Sequence, residues 1–439
     1  MRDFHVFISK IILINRDCKN EGKIVILHSE IRDGHRFTSD KPYFLRARCF
    51  ARCHSENQRT CANLLRLTRT FSFVRSATHI VTRKSKNVQN ALHIFFIYSI
   101  MDNIFLNTLL GKECQRPPVW LMRQAGRVLP HYQELRQQYS FSELISTPDL
   151  AAKVTLMPVT DLGVDAAILF SDILTIPMAM GMDIEWTERG PKFTHPLASY
   201  QQPLKHLNIQ PERLNFVYNA IDKVVKQSEV PLIGFCGAPL TTLCYMLQGT
   251  STKPTFNETK KYFYERKKET KILIEIVTEL SIEYAIKQIE HGIDAFQLFE
   301  THAGLIPADM YVELFMPAVC QITNAVRSKG IPLIFFPKGL GSGLRHITPD
   351  VCDFVSIDWQ TSLRDARQMV HPKVGLQGNI DPHLLYAPQK EIAQTLESYK
   401  SFFQEHPNWI VNLGHGVLAD TPLDNLCFLV DWIKNTNWK

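Results

Sequence analysis

No apolar run in this chain approaches the ~20 residues that a membrane-spanning helix needs. The longest, Leu92–Ile100, contains His93. None of the ten cysteines forms a C-x-x-C pair, so the usual thiol-redox and zinc-ribbon spacings are absent. Cys49, Cys53, His54 and Cys61 are the one cluster that suggests metal, and their spacing is irregular. They are not read as a zinc site. The remaining cysteines, among them Cys236, Cys244 and Cys352, read as thiols of a reducing compartment. No internal repeat has a fixed period, and no Pro/Gly/Ser-rich linker divides the chain after residue 100. That region also lacks a basic surplus. Residues 1–100 hold 18 Lys and Arg against 7 Asp and Glu, a net of +11, while residues 101–439 hold 31 against 36, a net of −5. An acidic body argues against a nucleic-acid-binding face.

What remains is an ordinary globular composition, 45% hydrophobic and 21% charged over 439 residues. The basic leader, 1–100, has no sustained helix or strand period. Met101 is the first methionine after Met1. The leader reads as an upstream extension of a chain whose translation starts at Met101. An organelle-targeting segment, plastid for example, is the second reading. Its acids (Asp3, Asp17, Glu21) do not suit a transit peptide, and Ile11–Ile14 is too short for a signal core.

From Pro118 onward, short apolar runs alternate with helical patterns. Strands are expected at Val119–Met122, Ala166–Leu174, Pro231–Cys236, Ala295–Glu300, Pro332–Phe336, Phe354–Trp359, Val374–Gln377 and Trp409–Leu413. Helices are expected at Thr270–His291, Pro307–Lys329, Pro388–Glu405 and Pro422–Lys434. Eight strands alternating with helices predict an α/β fold, a single-domain (β/α)8 TIM barrel over 101–439. A doubly wound open sheet is the alternative.

The densest chemistry lies in Pro118–Arg136. Arg123 and Arg127 flank Ala125-Gly126, and Arg136 follows. Arginine suits planar, bidentate carboxylate recognition. Two cations beside an apolar run are costly unless an anion meets them; the plain reading is two surface arginines on a loop. Asp172 ends an apolar run in Phe170-Ser171-Asp172-Ile173-Leu174. It is placed either to accept N–H groups of a ligand or to cap the next helix. Gly237-Ala238-Pro239 permits close backbone approach, and Tyr245 follows with its hydroxyl. Phe299–Gly304 offers Thr301, with Glu300 and His302 as alternatives. Gly414-His415-Gly416 leaves His415 between two glycines. Gly339-Leu340-Gly341-Ser342-Gly343 lacks the spacing of a dinucleotide loop. The glycosylation-like triplet at Asn257 has nothing else to support secretion.

Taken together, these segments resemble the uroporphyrinogen decarboxylase family. The matching pieces are Met122–Arg127, Phe170–Leu174, Gly237–Pro239 with Tyr245, Phe299–Gly304, Leu376–Pro382 and Asn412–Gly416. They stand in the family's order and cover nearly all of 105–435. The resemblance implies a cytoplasmic homodimeric barrel that uses no metal or organic cofactor. Its activity is decarboxylation of four acetates of uroporphyrinogen III to methyls, giving coproporphyrinogen III. It implies that Arg123, Gln124, Ala125, Gly126, Arg127 and Arg136 bind substrate, with Arg123 the proton donor. Asp172 gathers the pyrrole N–H groups and supports a cationic intermediate. Tyr245, Thr301 and His415 bind side-chain carboxylates. The chain departs from the pattern at Val128, usually aromatic, at Thr301, usually serine, and at Leu240, often tryptophan. A zinc-dependent methyltransferase of a related barrel is an alternative, but it needs a thiolate-rich site, and no cysteine stands near His415. A non-catalytic tetrapyrrole binder is the other.

Overall fold

The computed structural model describes residues 103–187, 190–249 and 255–439. The leader and its Cys49–Cys61 cluster lie outside the described residues. Among those described, seven parallel strands form one sheet. They are β1 (Ala167–Ile168), β4 (Leu232–Gly237), β5 (Ala295–Glu300), β6 (Leu333–Pro337), β7 (Phe354–Ser356), β8 (Gly375–Gln377) and β9 (Trp409–Ile410), paired in that order. Two further strands, β2 (Ile184–Thr187) and β3 (Gly190–Phe193), pair antiparallel with each other. The architecture is mixed α/β around a curled parallel sheet. β4, β6, β7 and β8 are buried at every position, as expected for strands covered on both faces.

The first expected strand joins the two edges of this sheet. The Val411 N–H donates to the Pro118 carbonyl at 2.9 Å, and the Asp165 N–H donates to the Val119 carbonyl at 2.8 Å. Val119 bridges Val411 in parallel. Asp165 fixes this junction. Its carboxylate receives Arg116 through both terminal nitrogens, at 2.7 and 2.8 Å, and the Val119 N–H at 2.8 Å.

The long helix Lys267–His291 buries Leu273, Val277, Leu280, Tyr284 and Ile289. It stops at Gly292, whose φ of +112° suits glycine. The expected Pro307–Lys329 helix is two, Ala308–Leu314 and Met316–Ser328. Pro317 lacks the N–H that would continue the first and is tolerated in the first turn of the second. The Gly339–Gly343 segment enters the short helical turn Gly341–His346.

Polar side chains also hold the sheet interior. Gln377 Oε1 accepts from Trp120 Nε1 at 3.0 Å, and its Nε2 donates to Ser356 Oγ at 3.1 Å and Gln297 Oε1 at 3.3 Å. Each of these side chains is buried, and the network satisfies groups that water cannot reach, with Gln297 Nε2 left without a partner among the described residues.

Candidate active site

All seven strands of the sheet run parallel, so their C-terminal ends lie on one rim. That rim carries Asp172 beyond β1, Gly237 at β4, Thr301 and His302 beyond β5, Lys338 beyond β6 and Trp359 beyond β7. Arg123 follows the junction strand, and His415 follows β9. Open parallel sheets and barrels bind ligands at this end.

Arg123 is exposed and has φ +62°, a left-handed conformation rare outside glycine. The backbone around it is pinned: the Val417 N–H donates to the Met122 carbonyl at 2.8 Å, and the Met122 N–H to Asn412 Oδ1 at 3.0 Å. A Cβ on Gly416 would sit 2.3 Å from Arg123 Cδ. Gly416 is therefore the seat across which the guanidinium arm lies. Gly414 has a similar reason, since a Cβ there would meet Trp359 N at 2.3 Å.

Asp172 is half-buried. Its Oδ1 accepts the Leu174 N–H at 2.8 Å, a local turn bond ahead of the helix Thr175–Ala179. Its Oδ2 has no hydrogen-bond partner among the described residues. Burial pushes its carboxyl up to about 6, against the opposing pull of the Leu174 N–H and the Arg123 guanidinium. Asp172 does not cap the helix Thr175–Ala179, whose start carries no side-chain cap; one of its oxygens organises the preceding turn and the other has no partner among the described residues.

Tyr245, on the helix Pro239–Gln248, is half-buried. Burial, then the nearby Asp172, pushes its hydroxyl up to about 12. It is a hydrogen-bond donor at any physiological pH. Its ring lies 5.4 Å from His302, and Phe256 lies 4.7 Å from the same imidazole. Burial holds His302 down at about 4, and its Nε2 has no hydrogen-bond partner. Burial, then Arg123, Lys338 and His302, holds His415 at about 3. Both histidines are therefore neutral. Thr301 is half-buried beside them, and its hydroxyl has no partner among the described residues. Phe235, Phe299 and Phe336 form an edge-to-face series with centroids 5.5 and 6.2 Å apart, and Phe336 reaches His415 at 6.2 Å. The rim thus combines an apolar arc, neutral donors, one free carboxylate oxygen and exposed arginine.

Other expected residues stand differently. Gln124 is fully buried; its Oε1 accepts the Leu121 N–H and its Nε2 donates to the Ala166 carbonyl. Its side chain shapes the loop from beneath. Ala125 and Gly126 are half-buried and Arg127 is exposed. Arg136 is exposed, lies in the last turn of the helix Pro130–Gln138 and donates to the Tyr139 carbonyl at 2.7 Å. Burial pushes the Tyr132 hydroxyl up, against the opposing pull of Arg136 and Arg127, so both guanidiniums lie toward the same ring. Glu300 is fully buried and accepts from the Leu240 and Thr241 N–H groups and from the Tyr311 hydroxyl. It anchors the helix that carries Tyr245. Sequence reasoning passed over Lys338 and Trp359; the signal was a cation directly after the apolar strand β6. Among the described residues, no three His, Cys, Asp or Glu side chains converge as a metal site would require.

The family model for uroporphyrinogen decarboxylase (URO-D) matches residues 101–436. A uroporphyrinogen decarboxylase of Trichlorobacter lovleyi is 40% identical over 336 residues, covering 76% of this chain and 98% of the relative. One from Wigglesworthia glossinidia brevipalpis is 36% identical over 348 residues, covering 77% and 96%. A solved methyltransferase from Methanosarcina mazei shares the fold, with a TM-score of 0.60 at 20% identity over 75% of this chain and 96% of its own. The six motifs in order, the rim they build and the match over 101–436 agree: the chain belongs to the uroporphyrinogen decarboxylase family.

Proposed function

We propose that the rim residues decarboxylate the four acetate side chains of uroporphyrinogen III, yielding coproporphyrinogen III. The chain is a carboxy-lyase of porphyrin biosynthesis by family. The finer architecture we read is a closed (β/α)8 barrel, with Pro118–Met122 as its eighth stave, and a homodimer as in the resemblance. No helix among the described residues is long and apolar enough to cross a membrane; the cytoplasm is the proposed location.

Loss of CO2 from an acetate on a pyrrole leaves an electron pair that needs a sink. Protonation of the pyrrole α-carbon next to the carbon bearing the acetate turns the ring into a cation, with positive charge shared by the acetate-bearing carbon and the nitrogen. The C–CO2 bond then breaks, and its electrons neutralise the ring. A second proton converts the exocyclic methylene into a methyl, and loss of the first proton from the ring carbon restores the neutral pyrrole, so each round consumes one proton net. In this reading Asp172 Oδ2 accepts the pyrrole N–H groups and offsets the ring's positive charge. Arg123 donates the first proton. Arg127 and Arg136 hold carboxylates at the outer patch. Tyr245, Thr301 and neutral His415 donate hydrogen bonds to further carboxylates.

The observation that carries this reading is Asp172: a carboxylate with one oxygen fixed by its own turn and the other open at the rim beside Arg123. Asp172→Asn tests it. Asparagine preserves the Leu174 turn bond and replaces the free acceptor or its charge. A folded variant is expected to lose roughly 10²–10³ in kcat/KM, the scale of one preorganised electrostatic group. Near wild-type turnover would leave Asp172 a turn residue only.

A further inference from the structure

The site described above leaves one cation unused. Lys338 follows β6 directly. Its N–H donates to the Glu300 carbonyl at 3.1 Å, and its own carbonyl accepts the Gly304 N–H at 3.0 Å. A Cβ on Gly304 would sit 2.6 Å from Gly339 O, so the turns after β5 and β6 are locked together. The Lys338 side chain is half-buried, with Nζ 5.5 Å from the centroid of Trp359. Trp359 in turn lies parallel to His415, at 9° and 6.2 Å.

Lys338 has no ion-pair partner among the described residues. Asp358 adjoins Trp359, but its two oxygens accept the Gly339 and Gln360 N–H groups at 2.6 and 2.9 Å. A half-buried ammonium without a counter-ion is costly, and one cation–π contact returns only about 0.5–1 kcal/mol. The field of Lys338 reaches His302 and His415, and both imidazoles are neutral. Arg123 also acts on His415, but only Lys338 acts on both imidazoles, so Lys338 is the cation that serves the His302 side of the rim. It is not among the groups that act on Asp172, where the pyrrole nitrogens gather.

We propose that Lys338, poised on Trp359 beside His415, binds a carboxylate that the substrate keeps through the reaction, a propionate. This rests on reading the rim as a tetrapyrrole site. Pairing a cation with a departing acetate would stabilise the ground state and slow CO2 loss. A cation remote from Asp172 is better placed to hold a side chain that persists through all four rounds. The neutral histidine donates a hydrogen bond, and the ammonium supplies the charge.

The test compares Lys338→Met and Lys338→Arg in the full chain. Methionine keeps apolar contact with Trp359 and loses the charge. It is expected to raise KM for uroporphyrinogen III about tenfold, with kcat within about threefold. It is also expected to weaken coproporphyrinogen III binding in calorimetry by a similar factor, because the product retains its four propionates. Arginine should restore both to within about threefold of wild type. Unchanged KM and product affinity in Lys338→Met would overturn the proposal, as would equal impairment of both variants. The calorimetric arm needs no turnover. Product binding that depends on residue 338 in an inactive protein would refute the catalytic reading and leave the Lys338 site standing.

Discussion

At the scale of single residues, the role proposed for Asp172 makes a prediction about pH. Burial lifts its carboxyl from 3.8 to about 6. An acid raised in the folded state binds its proton more tightly there than in the unfolded chain. Between these two values its contribution to stability falls as pH rises, while the ionised, N–H-accepting form grows. Activity and stability should therefore move in opposite directions across this window. We expect kcat/KM to fall about tenfold per pH unit below about 6, which a pH–rate profile from 4.5 to 8 measures. A flat profile through 6 would contradict the assignment. Gly416 gives a second residue-scale outcome. Gly416→Ala places a Cβ on the arm of Arg123, a flexible side chain that can swing away. The expected result is a loss of at least about tenfold in kcat/KM with the melting temperature nearly unchanged. Full activity would show that the Arg123 position does not matter. Asp172 and His415 stand beyond strand ends and Tyr245 on the helix after β4; what singled them out in the sequence was the family's motif order, since each residue type also has a structural use, as the Asp172 turn bond shows. Gln124 stands beside Arg123 in one motif, yet both ends of its amide serve the backbone. Sequence cannot separate those roles. Lys338 was illegible for a different reason: a lysine after a strand looks like solvent-facing charge until β7 and β9 bring Trp359 and His415 beside it.

At the scale of elements, the strand order was readable and the strand lengths were not. Ala166–Leu174 reads as one apolar run, but pairing stops at Ile168. The residues beyond leave the ladder, and the Asp172 turn bond directs them into the next helix. Val119–Met122 contributes a bridge between sheet edges instead of a full ladder. Its position depends on Asp165, a residue with no motif around it. Asp165 receives Arg116 twice and the Val119 N–H once, and it is 7% exposed. Asp165→Ala strands a partly buried arginine and a backbone donor. The expected cost is about 3 kcal/mol, toward the low end for a broken buried pair because Arg116 retains some contact with water. Chemical denaturation measures it. A loss under about 1 kcal/mol would mean that the junction is held by its backbone bonds alone. This change should also lower activity, since the same segment delivers Arg123 to the rim.

At the scale of the whole molecule, one parallel sheet explains why motifs scattered from Met122 to Gly416 converge. Each motif ends a strand or a strand-like run, and parallel order puts all those ends on one rim. This is why the family resemblance, carried by six short segments, gathers at one end of the sheet. On the proposed reading, this rim decarboxylates uroporphyrinogen III with its own side chains. The most direct measurement incubates the purified protein with uroporphyrinogen III anaerobically in excess chelator and separates the products by carboxylate number. We predict hepta-, hexa- and pentacarboxylate intermediates followed by coproporphyrinogen III, at a rate the chelator does not change. Unconsumed eight-carboxylate substrate, or turnover that chelator abolishes and zinc restores, would contradict the account.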